Sequence, residues 1–393
     1  MTRIVFVIPT LDRSGAEKQL MLLATGLPRD EFDVRVIALT RGGSYAQELQ
    51  AAGIPVTVLG KRLRFDPLAA WQLRKELQRT EPDIVHSWLF AANAYTRLAM
   101  ARSLDGPKVV VSERCVDVWK AGWQLSLDRK LISRTDQLIG NSQAVERFYN
   151  DLGYPASHTC VIHNAVTTPI GPVFSRSEFL RQLGYPDDVK LVAYVGRLAP
   201  QKRVSDLIWA AQLLRQADSR TRLLIVGDGP ERDQLIHYAK QAEAADYVRF
   251  LGHREDAASL LHLVDVFWLA SDFEGLSNSL MEAMACGKPI VVSDIPPNRE
   301  LVDHSVQGYR ANIGDSVAFA QFTRKLFDDP ALTARLGAAG RDRMTRDFSL
   351  AAMVEKHIRL YRQLMGTTST VVNDSQPAAA ASPNGSPFTS LGS

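Results

Sequence analysis

Lys190-Leu191-Val192-Ala193-Tyr194-Val195-Gly196-Arg197 is the stretch on which the fold turns. Five apolar residues in a row, with no polar alternation, run into a glycine and then a cation. A strand with one wet face alternates apolar and polar residues, whereas a strand covered on both faces does not. This stretch therefore belongs inside a parallel sheet with helices on both sides. Runs of the same kind recur on either side of it. Downstream they cover residues 222–229, 248–252, 266–270 and 289–294. Upstream they cover 3–9, 34–39, 56–60, 84–88, 109–113, 137–142 and 161–166. The segments between them, such as 16–27 and 67–80, carry apolar residues at helical spacing. Alternation of strand and helix implies right-handed βαβ units and a doubly wound sheet.

The rhythm pauses once, at 167–177, where Pro169, Gly171 and Pro172 interrupt any period. The sequence thus predicts an α/β protein of two doubly wound domains in tandem, 1–168 and 169–349, joined by that linker. From Thr367 to the end, 367–393, apolar residues are few, so this segment is expected to be a disordered tail. A length of 393 residues with 46% hydrophobic content suits two packed cores better than one. The 46 basic and 43 acidic residues nearly cancel, which argues against a nucleic-acid binder. Cys115, Cys160 and Cys286 show no paired spacing, so neither a disulfide framework nor a zinc site is expected. A reducing cytosol is the simpler setting. The first residues read as a strand rather than a signal peptide. No apolar run reaches the roughly 20 residues that span a bilayer, so a soluble, cytoplasmic protein is expected.

Ligands of doubly wound sheets sit beyond the carboxyl ends of the strands, and two such domains can share one cleft. Three segments stand at those ends. Ser14-Gly15-Ala16-Glu17 opens a helix, and a glycine-containing turn there exposes backbone N–H groups to an anion. The same residues also read as an ordinary helix start, with Ser14 and Glu17 forming a capping box. Arg197 and Lys202, five residues apart after the quoted strand, can clamp a diphosphate with a fixed fork and a mobile point charge. The plainer alternative is two solvated cations. Glu274-Gly275-Leu276-Ser277-Asn278-Ser279-Leu280-Met281-Glu282 runs from a loop into a helix. Gly275 permits close backbone approach, the helix N-terminus suits a phosphate, and the two carboxylates can accept hydrogen bonds from polyols. Glu282 alone also reads as a helix-surface residue, but Leu280, Met281, Ala283 and Met284 around it make a solvated face less comfortable.

With these residues in view, the chain over roughly 1–365 resembles glycosyltransferase family 4, whose fold of two facing Rossmann-like domains is called GT-B. Ser14-Gly15-Ala16-Glu17 is similar to the family's Gly-Gly-x-Glu turn, and Asp83-Ile84-Val85-His86-Ser87-Trp88 to its Asp-x-Val-His strand end. Gly140-Asn141-Ser142 with Val161-Ile162-His163-Asn164-Ala165-Val166 is similar to its Asn-Ser and Asn-Gly-Val pair. Val195-Gly196-Arg197-Leu198 with Lys202, Val226-Gly227-Asp228-Gly229-Pro230, and Glu274 with Glu282 follow in the family's order. Each motif is weak, and the set in order is specific.

The resemblance implies a retaining hexosyl- or glycosyltransferase that moves a sugar from a UDP- or GDP-linked donor to a sugar or lipid-linked acceptor in polysaccharide or glycoconjugate assembly. It implies diphosphate contacts from Arg197 and Lys202, donor-sugar contacts from Glu274, ribose contacts from Glu282, and backbone contacts near Gly275, Leu276 and Ser277. Gly15 would close over the phosphates. His86 would stand near the reacting sugar, although a histidine at a strand end also reads as a satisfied structural residue. His86, Glu274, Arg197 and Lys202 are thus the expected catalytic set. No metal and no separate cofactor is expected, since Arg197 and Lys202 can neutralise the diphosphate. The resemblance also implies a C-terminal helix, 350–366, that crosses back onto the first domain. Two residues depart from the family pattern: Ser14 stands for a glycine at the phosphate turn, and Ala165 for a glycine near the hinge.

Two other readings remain at this stage: a sugar-nucleotide epimerase or hydrolase on the same fold, and a non-catalytic sugar-nucleotide-binding subunit. A contact with the inner face of the cell membrane is suggested by Lys61-Arg62-Leu63-Arg64-Phe65, and by Trp119-Lys120-Ala121-Gly122-Trp123 with Arg129 and Lys130. Solvated helix ends are the alternative.

Overall fold

The computed structural model describes residues 1–100 and 106–366, so the expected tail at 367–393 lies outside the described residues. Two parallel sheets organise the chain. The first contains β1 (Thr2–Thr10), β2 (Phe32–Arg41), β3 (Val56–Val58), β4 (Ile84–Trp88), β5 (Lys108–Glu113), β6 (Gln137–Gly140) and β7 (Thr159–Val161). Their order is β3-β2-β1-β4-β5-β6-β7. The second contains β8 (Lys190–Val195), β9 (Thr221–Val226), β10 (Val248–Gly252), β11 (Val266–Leu269), β12 (Ile290–Ser293) and β13 (Gly308–Ala311), in the order β10-β9-β8-β11-β12-β13. The order reverses between β1 and β4 and again between β8 and β11. Those are the switch points at which a doubly wound sheet opens a crevice.

Among the described residues, six helices belong to the first sheet: α1 (Gly15–Gly26), α2 (Gly43–Ala51), α3 (Pro67–Thr80), α4 (Leu89–Ala99), α5 (Gly122–Lys130) and α6 (Gln143–Leu152). Eight belong to the second: α7 (Arg176–Leu183), α8 (Val204–Ala217), α9 (Arg232–Gln241), α10 (Ala257–Leu260), α11 (Asn278–Ala285), α12 (Pro296–Leu301), α13 (Ser316–Asp328) and α14 (Pro330–Asp347). Helices cover both faces, and the quoted strand is accordingly dry, with Leu191, Val192, Ala193 and Tyr194 all buried. The last helix, α15 (Leu350–Leu364), turns back to the first sheet. Its Met353, Val354, Ile358 and Tyr361 share a core cluster with Ile4, Phe6 and Trp88.

Three details differ from the sequence reading. The run 161–166 is strand only as far as Val161, because Ile162 is the last residue to reach the neighbouring strand and the chain then leaves the sheet. The linker ends before Ser177, since Ser175 and Glu178 form a capping box that starts α7. β13 was not anticipated. It is a short edge strand with one neighbour, and Gly-Tyr-Arg-Ala carries no apolar run to reveal it.

One buried charge cluster shapes the first domain near the cleft. Arg97 Nη2 lies 2.6 Å from Asp128, and Lys120 Nζ lies 2.9 Å from Asp117, 3.0 Å from Asp128 and 3.5 Å from Glu113. Burial pushes the Glu113 carboxyl up to about 7, against the pull of the Lys120 ammonium. Buried ions hold only when their partners are fixed. The cluster therefore pins the segment from β5 to α5, which meets the second domain.

Candidate active site

The second domain supplies most of the charged groups. β8 delivers Arg197 to the cleft, where its side chain is exposed. The following turn, Pro200–Lys202, carries Lys202, whose ammonium bonds the Glu274 carboxylate. Ser271 Oγ donates to the same carboxylate at 2.7 Å. Glu274 is 7% exposed and Glu282 is 8% exposed. Ser277 caps α11 through the Leu280 N–H, so this helix begins at the cleft with its N-terminus directed into it.

The first domain answers with a second helix N-terminus. The capping box read from Ser14 and Glu17 does not form. Instead the Ser14 hydroxyl donates to the Glu17 carboxylate, which also accepts from Thr10 Oγ at 3.0 Å. No side chain caps α1, so its first backbone N–H groups remain open to a ligand at the positive end of the helix dipole. One turn in, Lys18 reaches across and bonds Glu282.

Asn278, the first residue of α11, joins the two domains. Its Nδ2 donates to Gly15 O at 2.9 Å, and its Oδ1 accepts from Asn164 Nδ2 at 2.8 Å and Gln19 Nε2 at 3.2 Å. Gln19 also holds both backbone groups of Ala165, each at 2.8 Å. Beside them Cys115 pairs with Gly275 as an isolated antiparallel bridge, and Val116 N donates to Glu274 O at 3.3 Å. A Cβ on Gly275 would sit 1.9 Å from Arg114 O. The glycine is therefore required by the backbone of the other domain, not by a ligand alone.

Two chambers flank this contact. A cavity of about 730 Å³ is lined by Gly15, Lys18, Arg197, His253 and Glu282 among others. A cavity of about 910 Å³ on the other side is lined by Val116, Arg147, Glu274, Arg299 and Glu300 among others. Gly15, Arg197 and Glu282 thus meet in the first, whereas the Lys202–Glu274 pair stands at the second. Leu276 and Ser277 are buried and line neither chamber. In that second chamber Glu300 accepts from Gln143 N at 3.0 Å and Ala144 N at 3.2 Å, capping α6 from the opposite domain.

Residues 13–168 match the family model described as Glycosyltransferase Family 4, and residues 175–343 match Glycosyl transferases group 1. EpsD of Bacillus subtilis (strain 168), assigned as a glycosyltransferase, is 30% identical over 78% of this chain and 84% of its own length. The chain belongs to the group 1 glycosyltransferases. The lipopolysaccharide core biosynthesis glycosyltransferase LpsD of Rhizobium meliloti (strain 1021) is 25% identical over 88% of this chain and 94% of LpsD. Among solved structures, Anabaena Alr3699/HepE in complex with UDP-glucose superposes with a TM-score of 0.81 at 24% identity, covering 92% of this chain and all of that one, 100%. The fold is the GT-B fold that the sequence motifs implied.

Within this glycosyltransferase, one expected site residue is misplaced. His86 is 0% exposed and does not reach the cleft. Its Nδ1 lies 2.7 Å from Tyr361 Oη on α15, and its Nε2 lies 2.8 Å from Ser112 Oγ on β5. Burial, with His357 and Arg114 nearby, holds the imidazole well below its usual range, so it stays neutral. A strand covered on both faces sends residues inward as well as toward the rim, and the motif match could not say which. Conversely, the sequence reading missed Lys18, Gln19 and Asn278. Lys18 and Gln19 directly follow the glycine turn and Asn278 lies inside the two-glutamate motif, so proximity to those motifs was the available signal. Nothing local showed their partners.

Proposed function

We propose that this glycosyltransferase is a retaining, metal-independent enzyme that transfers a sugar from a UDP- or GDP-sugar to a sugar or lipid-linked acceptor in polysaccharide or glycoconjugate synthesis. The observation that carries the reading is the meeting, at one interdomain contact, of two helix N-termini with Arg197, Lys18 and Lys202 and two nearly buried carboxylates. Such a constellation suits a diphosphate flanked by two polyols. In this reading the nucleoside occupies the 730 Å³ chamber, with Glu282 on the ribose hydroxyls. Arg197, Lys202 and the two helix ends hold the diphosphate and take up the charge that grows on it as the glycosidic bond breaks. The diphosphate draws Lys202 from Glu274, which then accepts from the hydroxyls of the transferred sugar. The 910 Å³ chamber beside Glu274 admits the acceptor. The UDP-glucose complex of HepE, on the same fold, supports a nucleotide-sugar donor.

Two variants, assayed in the presence of a strong chelator, test this. The ribose stays with the leaving nucleotide, so Glu282→Gln should weaken nucleoside diphosphate binding and raise the donor KM, with a smaller effect on kcat. The sugar changes charge and shape at the transition state, so Glu274→Gln should lower kcat strongly and leave diphosphate affinity nearly intact. Calorimetry and steady-state kinetics separate the two. Activity that vanishes in chelator and returns with magnesium or manganese would refute metal independence. Donor consumption that needs no acceptor would point to a hydrolase or epimerase instead.

A further inference from the structure

Arg114, the residue after β5, carries a charge that the fold compensates poorly. Its guanidinium lies 3.7 Å over the Trp88 ring, and Nη1 donates to Asn164 Oδ1 at 3.1 Å. Nε and Nη2 are buried and have no hydrogen-bond partner among the described residues. Burial pulls the group down from 12.5 to about 9, so it is still charged near neutral pH. A buried charge without full pairing costs stability, and an apolar side chain of similar length would pack on Trp88 without that cost. Residues that break a rule of stable packing mark places where function sets the choice.

A guanidinium has donors only, so it can hold only the oxygen of the Asn164 amide. With Oδ1 fixed toward Arg114, Nδ2 faces the second domain, where it donates to Leu276 O at 3.1 Å and to Asn278 Oδ1 at 2.8 Å. Asn278 Oδ1 is then committed as an acceptor, and its Nδ2 is left to donate to Gly15 O at 2.9 Å. The donors thus run in one direction, from Arg114 through two amides to the first turn of α1. Were the Asn164 amide to turn over, its oxygen would oppose Leu276 O and Asn278 Oδ1 with no proton between them. Acceptors left short in a buried contact are costly, so the two domains would then hold each other less firmly.

We propose that Arg114 is a positioning residue, which sets the direction of the hydrogen-bond chain Arg114–Asn164–Asn278–Gly15 and so holds the N-termini of α1 and α11 together across the cleft. It acts through Asn164 and not on a substrate. Arg114 is kept at a cost to stability because a donor-only group fixes the amide that joins the domains. The kinetic part of this inference rests on the transfer reading above, whereas its effect on shape does not.

Arg114→Met, Arg114→Lys and the double variant Arg114→Met with Asn278→Ala are compared with the full-length parent. Arg114→Met should melt at or above the parental temperature, because it removes a poorly paired buried charge. Small-angle scattering should nevertheless report a longer molecule. Turnover is read as nucleoside diphosphate released from UDP-glucose or GDP-mannose, whichever the parent consumes. Its kcat/KM should fall roughly ten- to a hundredfold in Arg114→Met, the loss of one charge-assisted hydrogen bond. Arg114→Lys keeps a cation and a donor and should recover most of that loss. In the double variant the two losses should not multiply, because both residues belong to one chain. The proposal is overturned if Arg114→Met keeps parental shape and turnover, or if its melting temperature falls in step with its turnover. It is equally overturned if Arg114→Lys recovers neither shape nor turnover, or if the losses multiply in the double variant. A parent that consumes neither sugar nucleotide counts against the transfer reading instead, and scattering with the melting temperatures then decides the role of Arg114.

Discussion

At the scale of single residues, Asn278 does what neither glutamate can. A carboxylate only accepts, whereas an amide donates and accepts at once. Asn278 uses both ends, giving to Gly15 O and taking from Asn164 and Gln19. The first turns of α1 and α11 are thereby locked in one register around the place where a diphosphate would lie. Asn278→Ala leaves the buried Asn164 and Gln19 amides short of a bond, at a cost of about 1–3 kcal/mol. If closure precedes chemistry, that cost should appear as roughly one to two decades in kcat/KM, with a smaller change in nucleoside diphosphate affinity. Kinetics and calorimetry on the variant measure both, and a parental kcat/KM would show that the amide does not couple the domains. Gly15, Arg197, Glu274 and Glu282 were legible in the sequence because strand ends and helix starts mark them. Lys18 and Asn278 were adjacent to those motifs, but their partners lie 264 and 263 residues away, and no local pattern reports a distance of that kind.

Among the elements, α15 has the clearest consequence. It places His357 and Tyr361 against His86 in the first core, with ring centroids 5.9 Å and 6.0 Å from the His86 ring. Burial drives His357 down from 6.5 to about 3, and His86 is depressed as well. Both are neutral in the folded protein across the acid range in which the unfolded chain binds protons. Above pH about 6.5 neither state is charged at these sites and the pair costs nothing. As pH falls below 6.5, the unfolded state takes up protons that the folded state refuses, so stability declines. Each histidine contributes up to about 1.4 kcal/mol per pH unit in that window. Denaturant titrations from pH 7 to pH 4 should therefore show a shallower loss for His357→Leu than for the parent. Equal slopes would mean that His357 is charged in the fold. The helix itself was expected at 350–366 from family resemblance, but its role as a lid over His86 was not, since the sequence does not tell which face of β4 a returning helix covers.

For the whole molecule, the decisive fact is how closely two backbones approach. The closed arrangement depends on Gly275 lying against Arg114, together with Glu300 capping α6 from across the cleft. Gly275→Ala inserts a methyl where Arg114 O already stands, and both atoms are held by buried structure. The domains should be forced apart while each keeps its own core. Transfer should fall by at least two decades, roughly the 3 kcal/mol of a strained core insertion. The melting temperature should move little, and small-angle scattering should report a longer molecule. A variant with parental activity would show that this contact is not part of the working state. The sequence by itself determined the two parallel sheets and the family, and it pointed to candidate residues at the strand ends, because buried-strand runs, helix starts and charged turns are local properties of a chain. Only the tertiary structure decided that His86 is buried in the core, that Lys18 and Asn278 reach the candidate cleft, and that Glu274 and Glu282 face separate chambers. Those outcomes depend on which surfaces meet when two domains close, a question of packing between residues hundreds of positions apart.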